Sequence, residues 1–313
     1  MKLQQLRYVL EVYRYGNHIS AAAEALHTSQ PGISKQIQLL EGELGFEIFS
    51  RKRNRIVDIT EPGREVIAIA QRMLADVDNL HHLGEDFTAR SGGSLTLATT
   101  HTQARYVLPK VIERFVKQHP TVRLGLRQGN PTQICEFVES GEADIAIGTE
   151  TMRNFPNLVM LPCFALSRSV IAKAGHPLLK AKKLTLQEIA KYPIITHDPA
   201  YSGRWKVMDA FKNAGIEPNV IFSAVDADVS KTYVELGLGI AILTTIAFDP
   251  AHDRLLRARD ASHLFASSTT FITLRAHTYL RRFAYDFIKS VAPSLTADIV
   301  KSALKSAAKE APR

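Results

Sequence analysis

The sequence predicts an α/β chain in three parts: a small winged helix-turn-helix domain, one long helix, and a two-lobed unit of doubly wound sheets. Three observations carry this. Residues 18–45 read as a short helix, a tight break and a second helix. Residues 64–88 keep an apolar stripe at helical spacing. From Ser94 onward, strand-like runs and helical patterns alternate. The expected divisions are 1–63, 64–90 and 91–313, with a first lobe over about 91–162 and 269–293 and a second over about 163–268.

The first helix of the N-terminal pair, Ile19 to Leu26, is small and Ala-rich. The second opens with Ser29 as a cap and Pro31 in the first turn, where a missing N–H costs nothing. Ile33, Ile37, Leu40 and Leu44 fall at helical spacing, which leaves Ser34, Lys35, Gln36 and Gln38 on outward or flanking faces. Such a face can bond base edges and phosphates from the major groove. Helix pairs joined by a turn are common, so the continuation decides. Two short apolar stretches, Glu47–Phe49 and Ile56–Thr60, flank Arg51, Lys52, Arg53, Asn54 and Arg55. A charge run is usually a solvated turn; directly after a recognition helix it lies where flanking phosphates pass. The candidate DNA contacts are Thr28, Ser29, Gln30, Pro31, Ser34, Lys35 and Gln38, with Arg51, Arg53 and Arg55 on the DNA backbone.

Composition narrows the setting. Residues 1–90 carry 11 Lys and Arg against 12 Asp and Glu, while residues 91–313 carry 28 against 19. Overall basicity therefore says little about DNA, and the local Arg51–Arg55 cluster carries the argument. A positive C-terminal part agrees with an anionic ligand, and part of it reads as a basic tail with Lys301, Lys305, Lys309 and Arg313. The charged start is no signal-peptide core, and the longest apolar run, Gly237–Phe248, is too short to span a bilayer. Two cysteines, Cys135 and Cys163, imply a reducing compartment. A cytoplasmic protein without membrane contact is expected. No Gly-rich phosphate loop, metal-ligand spacing or nucleophile elbow stands out, so no catalytic residue, metal or cofactor is expected. The rivals are a DNA-binding module fused to an α/β enzyme and a constitutive nucleoid-type binder; a turnover assay and a ligand screen separate them.

The long helix places Ile67, Ala70, Leu74, Val77, His81 and Gly84 at steps of three and four, with Ile69, Met73, Leu80 and Phe87 widening the stripe. A second copy covers such a stripe best, so Ile67, Leu74 and Val77 are expected between two chains. His81 and His82 do not share a face and read as solvated or interfacial. Ser94–Thr100, Gln103–His119, Val122–Gln128, Thr132–Ser140 and Ala143–Gly148 then give βαβαβ, the pattern of a doubly wound parallel sheet. A ligand belongs at the carboxyl ends of such strands. There stand Thr99-Thr100-His101-Thr102-Gln103, Gly148-Thr149-Glu150 and Ala200-Tyr-Ser-Gly-Arg204. Capping alone needs one such residue, and the surplus of hydroxyls and amides beside a helix N-terminus suits an anion held by neutral donors, without a buried Arg or Lys.

Residues 1–63 resemble the winged helix-turn-helix of LysR-type transcriptional regulators. The matching text is Leu3-Gln-Gln-Leu-Arg-Tyr8, Ser20-Ala-Ala-Ala23, Ser29-Gln-Pro31, Ser34-Lys-Gln36, Leu40-Glu41, Leu44-Gly45, Phe49, Arg51 and Thr60-Glu-Pro-Gly63. Thr99–Tyr106 and Leu108-Pro109 are similar to the sulfur-regulating CysB and Cbl branch of that family. The resemblance implies a periplasmic-binding-protein-like effector domain, a dimerising linker helix, a homotetramer, promoter DNA and RNA polymerase as partners, and activation of sulfur genes. It also implies that Thr100, Thr102, Gln103, Thr149 and Ser202 hold a small anionic effector such as sulfate or an acetylserine. The branch has Thr at 202, where Ser keeps the hydroxyl, and commonly Trp at 166, where this chain has Leu166.

Overall fold

The computed structural model describes residues 1–53, 55–87 and 92–310. The chain divides into two compact units, Met1–Thr88 and Ala89–Arg313.

In the first unit, α1 (Leu3–Arg14), α2 (Ile19–Ala25) and α3 (Gln30–Leu44) precede a hairpin of β1 (Phe49–Lys52) and β2 (Arg55–Ile59), then α4 (Glu61–Phe87). Leu6, Val9, Leu10, Ile33, Ile37 and Leu40 meet Ile48 and Phe49 in one buried core. His27, with φ 48°, makes the break between α2 and α3. The Ser29 hydroxyl accepts the Gly32 N–H at 3.3 Å, and α3 ends at left-handed Gly45, φ 82°.

Two boundaries differ from expectation for one shared reason. Thr60 ties the chain down: its hydroxyl donates to the Glu47 carbonyl at 2.6 Å and accepts the Gly63 N–H at 3.0 Å. Helix α4 therefore begins at Glu61 rather than Arg64, with Pro62 in its first turn. A Cβ on Gly63 would lie 2.1 Å from the Ile48 carbonyl oxygen, so glycine is what lets α4 settle on that backbone. The wing strands shift accordingly, and Arg51 and Lys52 fall inside β1.

The stripe of α4 divides. Ile67 and Ala70 are buried in this unit's own core, with Val66, Met73 and Leu74 packed against it. Ile67 is thus already covered within its own chain and is not available to a second copy, contrary to expectation. Ile69 and, farther along, Leu80 stand exposed.

The second unit begins with β3 (Gly93–Thr99), a π-helical turn over Gln103–Val107, and α5 (Leu108–Gln118). The helix expected from Gln103 is present, but its first five residues are π-wound ahead of Pro109, which has no N–H to give and whose ring crowds the carbonyl four residues back. The first lobe continues with β4 (Val122–Gln128), α6 (Pro131–Glu139), β5 (Ile145–Thr149) and β6 (Leu158–Leu166). The second lobe contains β7 (Arg168–Lys173), α7 (Leu186–Ala190), β8 (Ile194–His197), α8 (Ser202–Asn213), β9 (Val220–Ala224), α9 (Ala227–Glu235), β10 (Ile240–Thr244) and β11 (Leu256–Asp260). The chain returns through β12 (Ser268–Arg275), α10 (Arg282–Val291) and α11 (Ala297–Glu310). Sheet order is β4-β3-β5-β12-β6 in one lobe and β11-β7-β10-β8-β9 in the other. Strand β12 runs antiparallel between β5 and β6. The chain therefore crosses between lobes twice, at Ser167 and between Asp260 and Ser268.

The first lobe is cored by Leu97, Phe115, Ile147, Ile272 and Phe287, with the Phe115 and Phe287 rings edge-on at 5.3 Å. The second is cored by Val170, Ile194, Phe211, Ile240 and Ile242. The expected basic tail is largely a helix. Val300 and Leu304 of α11 are buried against the first lobe, while Lys301 and Lys305 face solvent. The Lys309 side chain and Arg313 lie outside the described residues. Burial raises both thiols, Cys135 and Cys163, to about 11, which fits packing rather than reactivity. Among the described residues no helix is long and apolar enough to cross a membrane.

Candidate functional site

Capping at Ser29 and burial of Ile33, Ile37 and Leu40 fix which side of α3 is free. Thr28, Ser29, Gln30, Pro31, Lys35 and Gln38 are exposed and Ser34 is half-buried, so Gln30, Ser34 and Gln38 stand in one row a turn apart. Arg53 is exposed at the wing tip with φ 50°. Asn54 and the Arg55 side chain lie outside the described residues.

Arg51 behaves differently from the expected backbone grip. Its Nη2 donates to Glu41 Oε2 at 2.7 Å, and the two side chains are only 16% and 7% exposed. Glu41 Oε1 accepts the backbone N–H groups of Ile48 at 2.9 Å and Phe49 at 3.2 Å. Arg51 therefore belongs to the joint between α3 and the wing, because strand pairing turns it inward onto a buried carboxylate. Arg53 and Lys52 are the exposed cations of the described wing.

In the second unit, the ends of β3, β5 and β12 meet the start of α8, and polar side chains gather there. Gln103 Nε2 donates to Thr270 Oγ1 at 3.0 Å, and Thr270 lies opposite Thr149 in the β5–β12 register. Across the lobes, Ser202 Oγ donates to Thr149 Oγ1 at 2.9 Å and sits 3.1 Å from Ser268 Oγ. Arg168 Nη2 donates to Ser268 Oγ at 2.6 Å. The direction is then fixed: Arg168 to Ser268 to Ser202 to Thr149, which leaves the Thr149 hydroxyl proton free for an incoming acceptor. Thr100 is buried beside this chain, 3.4 Å from where a Cβ on Gly148 would lie. Half-buried Thr102 makes no side-chain cap bond to the following turn. One residue along from Thr100, Thr102 and Ser202, His101 and Tyr201 help line a crevice of about 420 Å³, together with Gln128, Asn130 and Gln133 of one lobe and Asp198 and Asp226 of the other. Thr100, Thr102, Gln103, Thr149, Ser202 and Arg168 are not among its lining residues.

The structure thus joins Thr149 and Ser202, places Gln103 on Thr270 in the strand beside Thr149, and adds Ser268, Thr270 and Arg168, which sequence reasoning missed. The expectation that neutral donors would spare the site a buried cation is overturned: Arg168 is 0% exposed. Its one signal was a charged residue opening the apolar run Arg168–Ala172. Burial lowers the guanidinium to about 10, with Glu150 opposing. Burial and the Arg168 charge press His197 down to about 4, so it is neutral at pH 7. For Glu150, burial acts upward, but the Lys206 ammonium at 2.6 Å and the Thr269 N–H at 2.8 Å outweigh it and hold the carboxyl below its ordinary value.

A second interlobe network stands at the π-helical turn. Asp228 of α9 meets His101 Nε2 at 3.0 Å, the Tyr106 hydroxyl at 2.6 Å and Lys231 Nζ at 3.1 Å. Lys231, itself buried, also holds Asp253 at 2.9 and 3.0 Å. His101, Asp226 and Asp228 come within 4.8 Å of one another. Asp226 caps α9 and Asp228 is neutralised by Lys231, so the trio reads as an ion-pair network rather than a metal centre.

Comparison with known proteins agrees with this architecture. Residues 3–64 match the model described as "Bacterial regulatory helix-turn-helix protein, lysR family", and residues 88–295 match the LysR substrate binding domain. The chain is 46% identical over 305 residues to the HTH-type transcriptional regulator CysB of Burkholderia cenocepacia, covering 97% of each. It is also 46% identical over 307 residues to the regulator SsuR of the same organism, covering 98% of this chain and all of that one. Among solved structures, the cofactor-binding domain of the Cbl transcriptional regulator superposes with TM-score 0.66 at 39% identity, over 68% of this chain and 93% of that one.

Proposed function

The chain belongs to the LysR family of bacterial helix-turn-helix regulators, and from that premise we propose that it activates genes of sulfur assimilation or of sulfonate and sulfate-ester use. The controlling effector in this reading is a small sulfur-related anion such as sulfate or an acetylserine, held through Thr100, Thr102, Gln103, Thr149 and Ser202. The observation that carries it is the hydroxyl chain across the two lobes, with a free donor at Thr149. The sulfur assignment rests on likeness to the CysB, SsuR and Cbl regulators.

Replacing Thr149 with Val removes that donor and keeps the shape. Sulfate affinity is expected to fall by roughly 1–3 kcal/mol, with DNA affinity in the absence of effector unchanged. Isothermal titration with sulfate and O-acetylserine checks this, and unchanged binding of both would remove Thr149 from the site.

On promoter DNA, Gln30, Ser34, Lys35 and Gln38 read base edges or nearby phosphates, with Thr28, Ser29, Pro31, Arg53 and Arg55 alongside. Arg53→Ala should weaken matched and unmatched DNA alike and flatten the salt dependence by about one unit of slope. Gln30→Ala should mainly reduce discrimination, by roughly 1–3 kcal/mol on the preferred site. Gel-shift titrations at several salt concentrations separate the two outcomes.

Assembly in this reading uses the far half of α4, where Leu74 and Val77 are half-buried and Leu80 exposed, so that paired recognition helices meet paired half-sites. A second apolar edge runs along β9 and α9, with Ile221, Phe222, Val225, Val229 and Leu236 exposed. Two kinds of contact suffice for the tetramer that the family resemblance implies. RNA polymerase as a partner and a cytoplasmic location belong to the same reading.

A further inference from the structure

We infer that Arg168 is the charge that selects the effector: a small oxyanion seated at the N-terminus of α8 takes the Nη1 donor of the guanidinium, which the fold leaves without a partner. This deepens the crevice reading above and rests on it.

Arg168 is 0% exposed and spends only Nη2, on Ser268. Its Nε and Nη1 are buried and have no hydrogen-bond partner among the described residues. Among the described residues no carboxylate comes within 4.0 Å of it; the nearby Glu150 pairs with Lys206 through Oε1, while its Oε2 is buried without a partner. A cation buried this way is unfavourable unless something compensates it.

The first turn of α8 adds to the imbalance. This helix has 12 residues, no acidic residue in its first turn and no side-chain cap from Tyr201. A Cβ on Gly203 would lie 3.5 Å from Arg168 Nη1 and 3.2 Å from the His197 ring, so the turn rests against the guanidinium. The positive end of a helix dipole and a positive side chain therefore share one buried spot, beside neutral His197, whose Nδ1 is also without a partner. An anion satisfies both. Nη1 and the Nε–H lie on different edges of the planar guanidinium, so it is Nη1, the donor against the α8 turn, that offers an oxyanion a charge-assisted bond there. The Ser202 and Thr149 hydroxyls stand at the same junction.

Full-length protein titrated with sodium sulfate, and separately with sodium acetate, tests this by calorimetry and by the thermal unfolding midpoint. Arg168→Met keeps the volume and removes the charge; Arg168→Lys keeps the charge; Thr149→Val tests the crevice independently. The expected result is that the Met variant binds the wild type's preferred anion at least tenfold more weakly, and that its midpoint stops responding to that anion. In anion-free buffer its midpoint should stay at or above wild type, since no compensated charge has been lost. The Lys variant should recover part of the binding. Preference for sulfate or for acetate identifies the shape of anion the site accepts.

Anion binding by the Met variant equal to wild type overturns the inference. So does a fall of its anion-free midpoint with an intact anion response, which would make Arg168 a structural tie to Ser268. Weakened binding in Thr149→Val but not in Arg168→Met leaves the crevice reading standing without the Arg168 role. A wild type that binds neither anion removes both.

Discussion

Glu41→Ala should destabilise the N-terminal unit by about 3–5 kcal/mol, the loss typical when one partner of a buried ion pair is removed. Three donors depend on this carboxylate: the Ile48 and Phe49 backbone N–H groups and the Arg51 guanidinium. The substitution strands all three, two of them on buried backbone. Glu41→Gln should lose less, because its carbonyl oxygen still accepts an N–H while the charge-assisted bond to Arg51 goes. Urea unfolding of the full chain, followed together with operator binding, should show an early transition that removes DNA affinity. A Glu41→Ala protein that unfolds within about 0.5 kcal/mol of wild type would mean that the joint between α3 and the wing is held elsewhere.

The contrast between Glu41 and α3 itself shows what sequence can and cannot give. Helix α3 was legible because its signals are local: a Ser cap, a proline in the first turn, apolar residues at helical spacing and a terminating glycine. Arg51 was misread because its partner lies ten residues back, and the intervening turn, not the charge run, decides which way it points. Strand β11 carries Arg257 and Arg259 at the edge of its sheet, where one buried face needs only Leu256 and half-buried Ala258, so its apolar signal is weak. Helix α11 hid behind its lysines, although Val300 and Leu304 stand one turn apart on the face that docks.

The effector region divides in the same way. Thr149 and Ser202 sit at strand and helix ends, where the alternating pattern of elements already points to a ligand crevice. Arg168 could not be inferred, because the general rule that buried cations are unfavourable argues against it. A buried charge that breaks that rule is informative only once the coordinates show what it lacks.

The second interlobe network should prove as consequential as Glu41. Lys231→Met should cost the second unit about 3–5 kcal/mol, since Asp253 is buried and would keep only the Asp249 N–H among its charged or polar partners. The acid limb gives an independent readout. Burial alone would raise Asp228, but the bonds from His101, Tyr106 and Lys231 overcome it and hold the carboxyl at about 2. Burial and the bond to Asp228 push the Tyr106 phenol up to about 12, so it stays a donor. For Lys231 burial acts downward, yet its bonds to Tyr106, Asp253 and Asp228 leave it above its ordinary value. A depressed carboxyl contributes stability that is fully present above its unfolded pKa near 4 and is lost as pH falls toward about 2. A raised ammonium contributes below its own unfolded value and fails only as pH rises beyond it. The network should therefore be constant across neutral pH and fail first on the acid side. Asp228→Asn removes the titrating group, so between pH 4 and pH 2 its unfolding midpoint should fall less steeply than that of wild type. Parallel curves for the two proteins would show that Asp228 does not join the lobes.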